Sequence, residues 1–339
     1  MGAATARRRR LRRADCASAG IRRVGRGRGF SYHDANGEPV TDSETLERVR
    51  ELAIPPAWKE VWICPDPLGH IQATGIDDAG RKQYIYHSRW QQRQAERKFE
   101  EMRDFAEELP RLRRAVSRDL KRDGMPRERA LACAVRLLDL AFFRIGGEEY
   151  AESNESYGIA TLLREHVRVD GDVVIFDFPA KSGQRRVQSI RDAPARRAIE
   201  AMRRRRSGPP DLLAYRQGRE WRDVRSEDIN AYIQEKIGER FSAKDFRTWH
   251  GTVLAAVELA REGAARSESA RRRAINAAVG RVAELLGNTP AVCRSSYIDP
   301  RVLDRFRDGV TMGLTPPHDG RVTERARKRI ETEVLELIS

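Results

Sequence analysis

A chain of 339 residues with 40% hydrophobic side chains can fill two domain cores, and its 65 Lys and Arg against 51 Asp and Glu leave a net charge of +14. That balance favours a polyanionic partner, either nucleic acid or an anionic membrane surface, and no apolar run approaches the length needed to span a bilayer. Nucleic acid therefore leads. The four cysteines, Cys16, Cys64, Cys133 and Cys293, lack Cys-x-x-Cys spacing and lie apart from the six histidines, so neither a zinc site nor a disulfide framework is indicated. No Gly-x-x-x-x-Gly-Lys-Ser/Thr loop occurs, which argues against nucleotide hydrolysis.

The chain opens on a basic run, Arg7 to Arg13, with no apolar segment behind it. It reads as part of a disordered arm over residues 1–24 that adds non-specific phosphate contacts. Phe30 to His33 reads as a strand closed by the Asn36-Gly37 turn, and Thr41 with Glu44 as the capping box of a helix that stops before Pro55-Pro56. Strands follow at Glu60 to Cys64, His70 to Gly75 and Gln83 to His87, so residues 25–105 form a small antiparallel sheet domain. Gln83, Tyr84 and Tyr86, with Arg93 on the next helix, put amide, phenol and guanidinium groups on one short segment. That mixture suits phosphates and base edges, and equally suits an ordinary strand with Tyr on its core face.

A charged helix from Trp90 to about Glu108 is expected to break at Pro110, after which residues 106–339 turn mainly helical. Pro126 to Phe143 is apolar nearly all round and delivers Arg144, which must either pair with a buried carboxylate or face an anion in a cleft. A three-stranded meander follows at His166 to Val169, Val173 to Phe178 and Arg185 to Ile190, with Lys181 at the tip of its second hairpin. Ser242 caps a helix on which Lys244 and Arg247 stand one turn apart. The helix from Ser267 to Leu286 ends at Gly287-Asn288, and Thr289 with Pro290 starts a short one leading to Tyr297. A terminal amphipathic helix spans about Thr323 to Ile338. The fold class is thus α+β: a small antiparallel sheet domain, then a larger helical domain carrying a short hairpin sheet.

Phe142-Phe143-Arg144-Ile145-Gly146, Lys181 on its hairpin, Lys244-Asp245-Phe246-Arg247, and Leu286-Gly287-Asn288-Thr289-Pro290 ending at Tyr297 occur in the order, and Gln83-Tyr84-Ile85-Tyr86 in the setting, of the type IB DNA topoisomerases. The chain resembles their compact poxvirus-like and bacterial branch from about Gly25 to about Phe306. The resemblance implies an enzyme that relaxes supercoiled duplex DNA without ATP, metal or other cofactor. Tyr297 would attack a phosphodiester to give a 3′-phosphotyrosyl intermediate, the strand would swivel, and the 5′-hydroxyl would reseal it. A phenol of pKa about 10 is a poor nucleophile unless cations surround it and the phosphorane it forms.

By the same resemblance Arg144 and Arg247 supply those cations, Lys181 is the general acid, and Lys244 assists. Many relatives carry His where this chain has Asn288, and an amide can donate a hydrogen bond but cannot shuttle a proton. Gln83, Tyr84, Tyr86 and Arg93 would contact the duplex, and Tyr150 or Ser153 would hold phosphate near the cleaved bond. The protein is expected to act as a monomer closing like a clamp on double-stranded DNA, away from membranes, in the cytoplasm at the nucleoid. Two other readings remain at this point: a tyrosine recombinase, and a non-catalytic basic protein that coats nucleic acid.

Overall fold

The computed structural model describes residues 10–27, 29–147, 155–263, 267–314 and 323–339. The chain is α+β and divides into two units, Met1–Lys98 and Phe99–Ser339. In the first unit β1 (Ile21–Arg26), β2 (Gly29–His33), β3 (Lys59–Ile63), β4 (Ile71–Ile76) and β5 (Lys82–Tyr86) form an antiparallel sheet in the order β2-β1-β3-β4-β5. Helix α1 (Ser43–Glu51) contributes Val49 to a core with Ile21, Val61, Ile63 and Ala73. Its cap is Asp42 rather than Thr41, accepting from the Thr45 amide at 2.8 Å. Buried Gln72 on β4 is satisfied at both ends, donating to the Gly69 carbonyl (2.7 Å) and accepting from Arg48 (2.7 Å).

Two expectations fail in this part of the chain. Residues 10–24 are packed rather than disordered: the Arg12 amide donates to the Leu68 carbonyl (2.9 Å), the His70 amide donates to the Arg12 carbonyl (2.9 Å), and β1 begins at Ile21. Gly20 lies so close under Trp62 that a Cβ there would sit 2.1 Å from the indole nitrogen. The helix α2 (Ser88–Asp119) runs straight through Pro110, whose ring faces solvent while Leu109 and Leu112 are buried. A proline inside a helix costs about 3 kcal/mol. Burying Met102, Phe105, Leu109, Leu112 and Val116 on one stripe returns about 1.5–3 kcal/mol each. Burial wins.

The second unit continues with α3 (Arg127–Ala141), the antiparallel sheet β6 (Val167–Asp170), β7 (Val173–Ala180) and β8 (Gln184–Ile190), helix α4 (Ala193–Arg203), and the hairpin β9 (Ala214–Gln217) with β10 (Glu220–Asp223). Helices α5 (Ser226–Ile237), α6 (Ala243–Glu262), α7 (Glu268–Leu286), α8 (Pro290–Ser296), α9 (Pro300–Arg307) and α10 (Glu324–Leu337) follow. One apolar core joins α3, α6 and α7, with Leu137, Leu138, Phe246, Trp249, Val279 and Leu286 at its centre.

Against that core lies a buried ionic cluster. Asp139 on α3 accepts from Arg113 on α2 (Nε 2.9 Å, Nη2 2.9 Å) and from Arg327 on α10 (Nη2 2.6 Å), and Arg113 also donates to Glu331 on α10 (2.6 Å). His250 on α6 completes it, its Nε2 3.2 Å from Arg327 and 3.5 Å from Asp139. Burial opposes ionisation of Asp139, but the two guanidiniums hold its carboxyl well below the usual range. Burial likewise lowers His250 and outweighs the Asp139 contact that acts to raise it.

Both groups take up protons more readily when unfolded, so both favour the folded state at high pH. Stability should begin to fall as pH drops below about 6.5, where unfolded His protonates, and again below about 4, where unfolded Asp does. Asp139→Ala leaves Arg113 and Arg327 buried over a missing partner and should cost about 3–5 kcal/mol in urea unfolding at pH 7. A cost under about 1 kcal/mol would mean that water reaches the cluster.

Candidate active site

The site is assembled from three ends of regular elements and one hairpin tip. Ser242 and Asp245 cap α6 reciprocally, the Ser242 amide donating to Asp245 at 2.7 Å, which fixes the first turn carrying Lys244 and Arg247. Lys244 is exposed, whereas Arg247 is only 5% exposed. Arg247 donates through Nη1 to the Phe142 carbonyl (2.7 Å) and through Nη2 to the Leu286 carbonyl (2.9 Å), and its guanidinium carbon lies 5.1 Å from the centre of the Tyr297 ring. Its buried Nε has no hydrogen-bond partner among the described residues. Arg144, just past the left-handed Phe142 (φ 55°) that ends α3, donates to the Gly287 carbonyl and to Asn288 Oδ1 (2.7 Å).

Among the described residues no carboxylate lies within ion-pair distance of Arg144 or Arg247. Of the two fates expected for Arg144, the buried pair is therefore not the one seen. What permits two unpaired guanidiniums is the end of α7. The carbonyls of Glu284, Leu285, Leu286 and Gly287 accept from Arg186, Arg186, Arg247 and Arg144 in turn. A helix C-terminus carries roughly half a negative charge on such carbonyls, enough to hold cations without neutralising them. Arg144 is still pushed below its ordinary value, first by burial and then by the charge of Arg247. An anion would relieve both.

Gly287 takes the left-handed conformation (φ +61°) at the end of α7, and Thr289 caps α8 by accepting from the Val292 amide (3.3 Å), with Pro290 in the first turn. Tyr297 ends that helix, half-buried, its amide donating to Cys293 (2.9 Å). Its backbone presses on Gly251 of α6, one turn beyond Arg247, where a Cβ would sit 2.4 Å from the Tyr297 carbonyl oxygen. A mid-helix glycine thus sets how closely the tyrosine approaches the arginine.

Arg144, Lys181, Lys244, Arg247 and Tyr297 line one open cavity of about 290 Å³. Lys181 is exposed in the turn Lys181–Gly183 between β7 and β8. Asn288 is not in the wall. It sits behind Arg144, with its amide nitrogen buried and lacking a partner among the described residues. Asn288→Ala should slow strand cleavage roughly 10²-fold in single-turnover assays, the cost expected when Arg144 loses the group that holds it in place. A loss below a few-fold would remove it from the site. Sequence reading missed Ser156 and Tyr157, which also line the cavity, and Arg186.

On the first unit Tyr84 and Tyr86 are exposed and stacked, ring centres 6.0 Å apart, on the edge strand β5, with Lys82 Nζ 5.9 Å from the Tyr84 ring. Gln83 does not share their face. Strand alternation turns it to the other side, where it donates to Asp77 (2.8 Å). Arg93 is exposed near the start of α2. Tyr150 and Ser153 lie outside the described residues.

Residues 87–311 match the family model for the eukaryotic DNA topoisomerase I catalytic core, and residues 29–77 match that for the bacterial DNA topoisomerase IB N-terminal domain. The chain belongs to the type IB DNA topoisomerase family. It is 32% identical over 292 residues to DNA topoisomerase 1B of Acanthamoeba polyphaga mimivirus, covering 82% of this chain and 84% of that one. Identity to DNA topoisomerase 1B of vaccinia virus (strain Copenhagen) is 25% over 151 residues, 42% of this chain and 47% of that one. DNA topoisomerase 1 of Candidozyma auris matches at 28% over 158 residues, 46% of this chain but 20% of that one. The topoisomerase model for the N-terminal domain falls on the sheet unit.

Proposed function

We propose that this type IB topoisomerase relaxes duplex DNA through a covalent bond to Tyr297, by the following division of labour. The Tyr297 phenol gives up its proton to water in the open cavity, its oxygen attacks the scissile phosphorus, the bond to the 5′-oxygen breaks, and Lys181 gives that oxygen a proton as it leaves. Arg144 and Arg247 hold the non-bridging oxygens of the phosphorane with the N–H groups left over from their carbonyl bonds, and Asn288, accepting from Arg144 at 2.7 Å, steadies that arginine from behind. Lys244 supports the same charge. Lysine suits the acid role because an ammonium can release a proton that a guanidinium retains. Attack by the 5′-hydroxyl on the phosphotyrosine reverses every step. One phosphodiester is exchanged for another, so no nucleotide is consumed and no cofactor is called for.

The observation that carries this reading is the convergence of five residues, from α3, a hairpin tip, α6 and α8, on one cavity where the Tyr297 ring lies against a buried guanidinium. Tyr84, Tyr86, Lys82 and Arg93 would grip the duplex backbone, in a monomer that closes on DNA as a clamp and works at the nucleoid. No described helix is long and apolar enough to cross a membrane.

The test is adduct mapping. The protein is incubated with negatively supercoiled plasmid in chelator without nucleotide, quenched with detergent and digested with nuclease and trypsin. A nucleotide mass on the peptide Ser295 to Arg301, at Tyr297, is expected together with relaxed plasmid. Relaxation with the adduct on any other residue would overturn the assignment, and a plasmid bound but never relaxed would return the coating reading.

A further inference from the structure

The residue the mechanism leaves unused is Arg186, and its placement is unusual for a strand residue. Along β8 the even-numbered positions from Arg186 on face inward: Ile190 is buried and Gln188 donates to the Ala141 carbonyl (2.6 Å), while Val187, between Arg186 and Gln188, is 60% exposed. Arg186 shares that inward face and reaches across to the end of α7, donating to the carbonyls of Glu284 (3.1 Å) and Leu285. Gly287 keeps the way open, since a Cβ there would lie 2.7 Å from Arg186 Nη1. The other side of the hairpin is held by the chain before it, the Tyr157 amide donating to Pro179 (2.9 Å) and Ser156 to Ala180 (3.2 Å).

From the Arg186↔Phe178 pair the ladder runs through Arg185↔Pro179 and Gln184↔Ala180 straight to Lys181. The segment that Arg186 grips on its far side runs on through Asn288 to Tyr297. Arg186 therefore bridges the element carrying the proposed acid and the element carrying the proposed nucleophile.

We infer that Arg186 is a positioning residue that sets Lys181 relative to Tyr297 by tying the β7–β8 hairpin to the last turn of α7. In this role it acts through its bonds to the Glu284 and Leu285 carbonyls. Its loss frees the hairpin tip, so that the proton donor no longer meets the departing 5′-oxygen while attack by Tyr297 proceeds with its arginines in place. The inference rests on Lys181 being the general acid.

That dependence supplies the readout. A duplex oligonucleotide carrying a mapped cleavage site is made with either oxygen or sulfur bridging phosphorus to the 5′-carbon. In the sulfur substrate the P–S bond breaks and the thiolate leaves unprotonated, so cleavage needs no acid. Single-turnover cleavage of both substrates is measured for the wild type, Lys181→Ala, Arg186→Ala and Arg186→Lys, with melting temperature and DNA affinity recorded for each.

Arg186→Ala should slow the oxygen substrate about 10-fold to 10²-fold, the range expected when a catalytic group is displaced by an ångström or so, and should come within about 3-fold of wild type on the sulfur substrate. Arg186→Lys, which keeps a cationic donor but loses the fork that spans the two carbonyls, should fall between, and it carries the same comparison if the alanine variant does not fold. An equal defect on both substrates, or none on either, overturns the inference. If Lys181→Ala is not itself rescued by sulfur, the acid assignment fails and the role of Arg186 falls with it.

Discussion

Tyr297→Phe should leave supercoiled plasmid supercoiled, its relaxation rate lowered on the order of 10⁵-fold or more, as when the nucleophile of a covalent mechanism is removed. Phenylalanine retains the ring that lies 5.1 Å from Arg247, the α8 backbone and the packing against Gly251, so the site keeps its shape and only the oxygen is lost. DNA affinity at fixed salt should stay within a few-fold, because the phosphate-binding cations remain. Time courses over plasmid together with gel shifts at the same ionic strength separate the two quantities. Relaxation within about 10²-fold of wild type would require a nucleophile other than Tyr297.

For Arg247→Ala the expected loss is about 10³-fold to 10⁵-fold in the cleavage step, the range measured when an arginine is withdrawn from a transferring phosphoryl group. Stability falls as well. The carbonyls of Phe142 and Leu286 lose their donor, at about 1–3 kcal/mol for each group left buried and unpaired. The two effects separate because unfolding lowers the active fraction, whereas the rate constant of the folded fraction reports the missing guanidinium. Arg247→Lys should restore stability better than rate: an ammonium can replace one carbonyl bond but cannot span both and still present a fork to phosphate. If the lysine variant cleaves at near the wild-type rate, a point charge suffices and bidentate recognition is not needed.

The site was legible in the sequence to the extent that local rules place its parts. Ser242, Thr289 with Pro290, and Gly287 each determine where an element starts or stops. Arg144, Lys181, Lys244, Arg247 and Tyr297 hang from those boundaries. What local rules cannot give is which boundaries meet. Arg186 could have been noticed, since it shares the period-2 inward face of β8 with Gln188 and Ile190, but its partners lie 98 and 99 residues away. For Gln83 a local rule does suffice: alternation separates it from Tyr84 and Tyr86, and its tie to Asp77 marks the side it faces. Pro110 misled because a breaker rule weighs one residue, while the helix is held by the summed burial of its neighbours. The arm misled because composition describes the solvated chain and cannot see that Arg12 and Gly20 have a sheet to lie against.

The ionic cluster around Asp139 has a consequence for how the protein comes into being. Arg327 follows Asp139 by 188 residues, and Glu331 follows Arg113 by 218. At a translation rate of about 5–20 residues per second, the first half of each pair waits on the order of ten seconds or more for the second. During that interval α2 and α3 can collapse, but Asp139 has one guanidinium instead of two and Arg113 one carboxylate instead of two. A ribosome that stalls or terminates before α10 is made therefore releases a chain with an incomplete ionic centre next to Phe142 and Arg144. Such a chain should be more open to proteolysis than one in which α10 has closed the cluster.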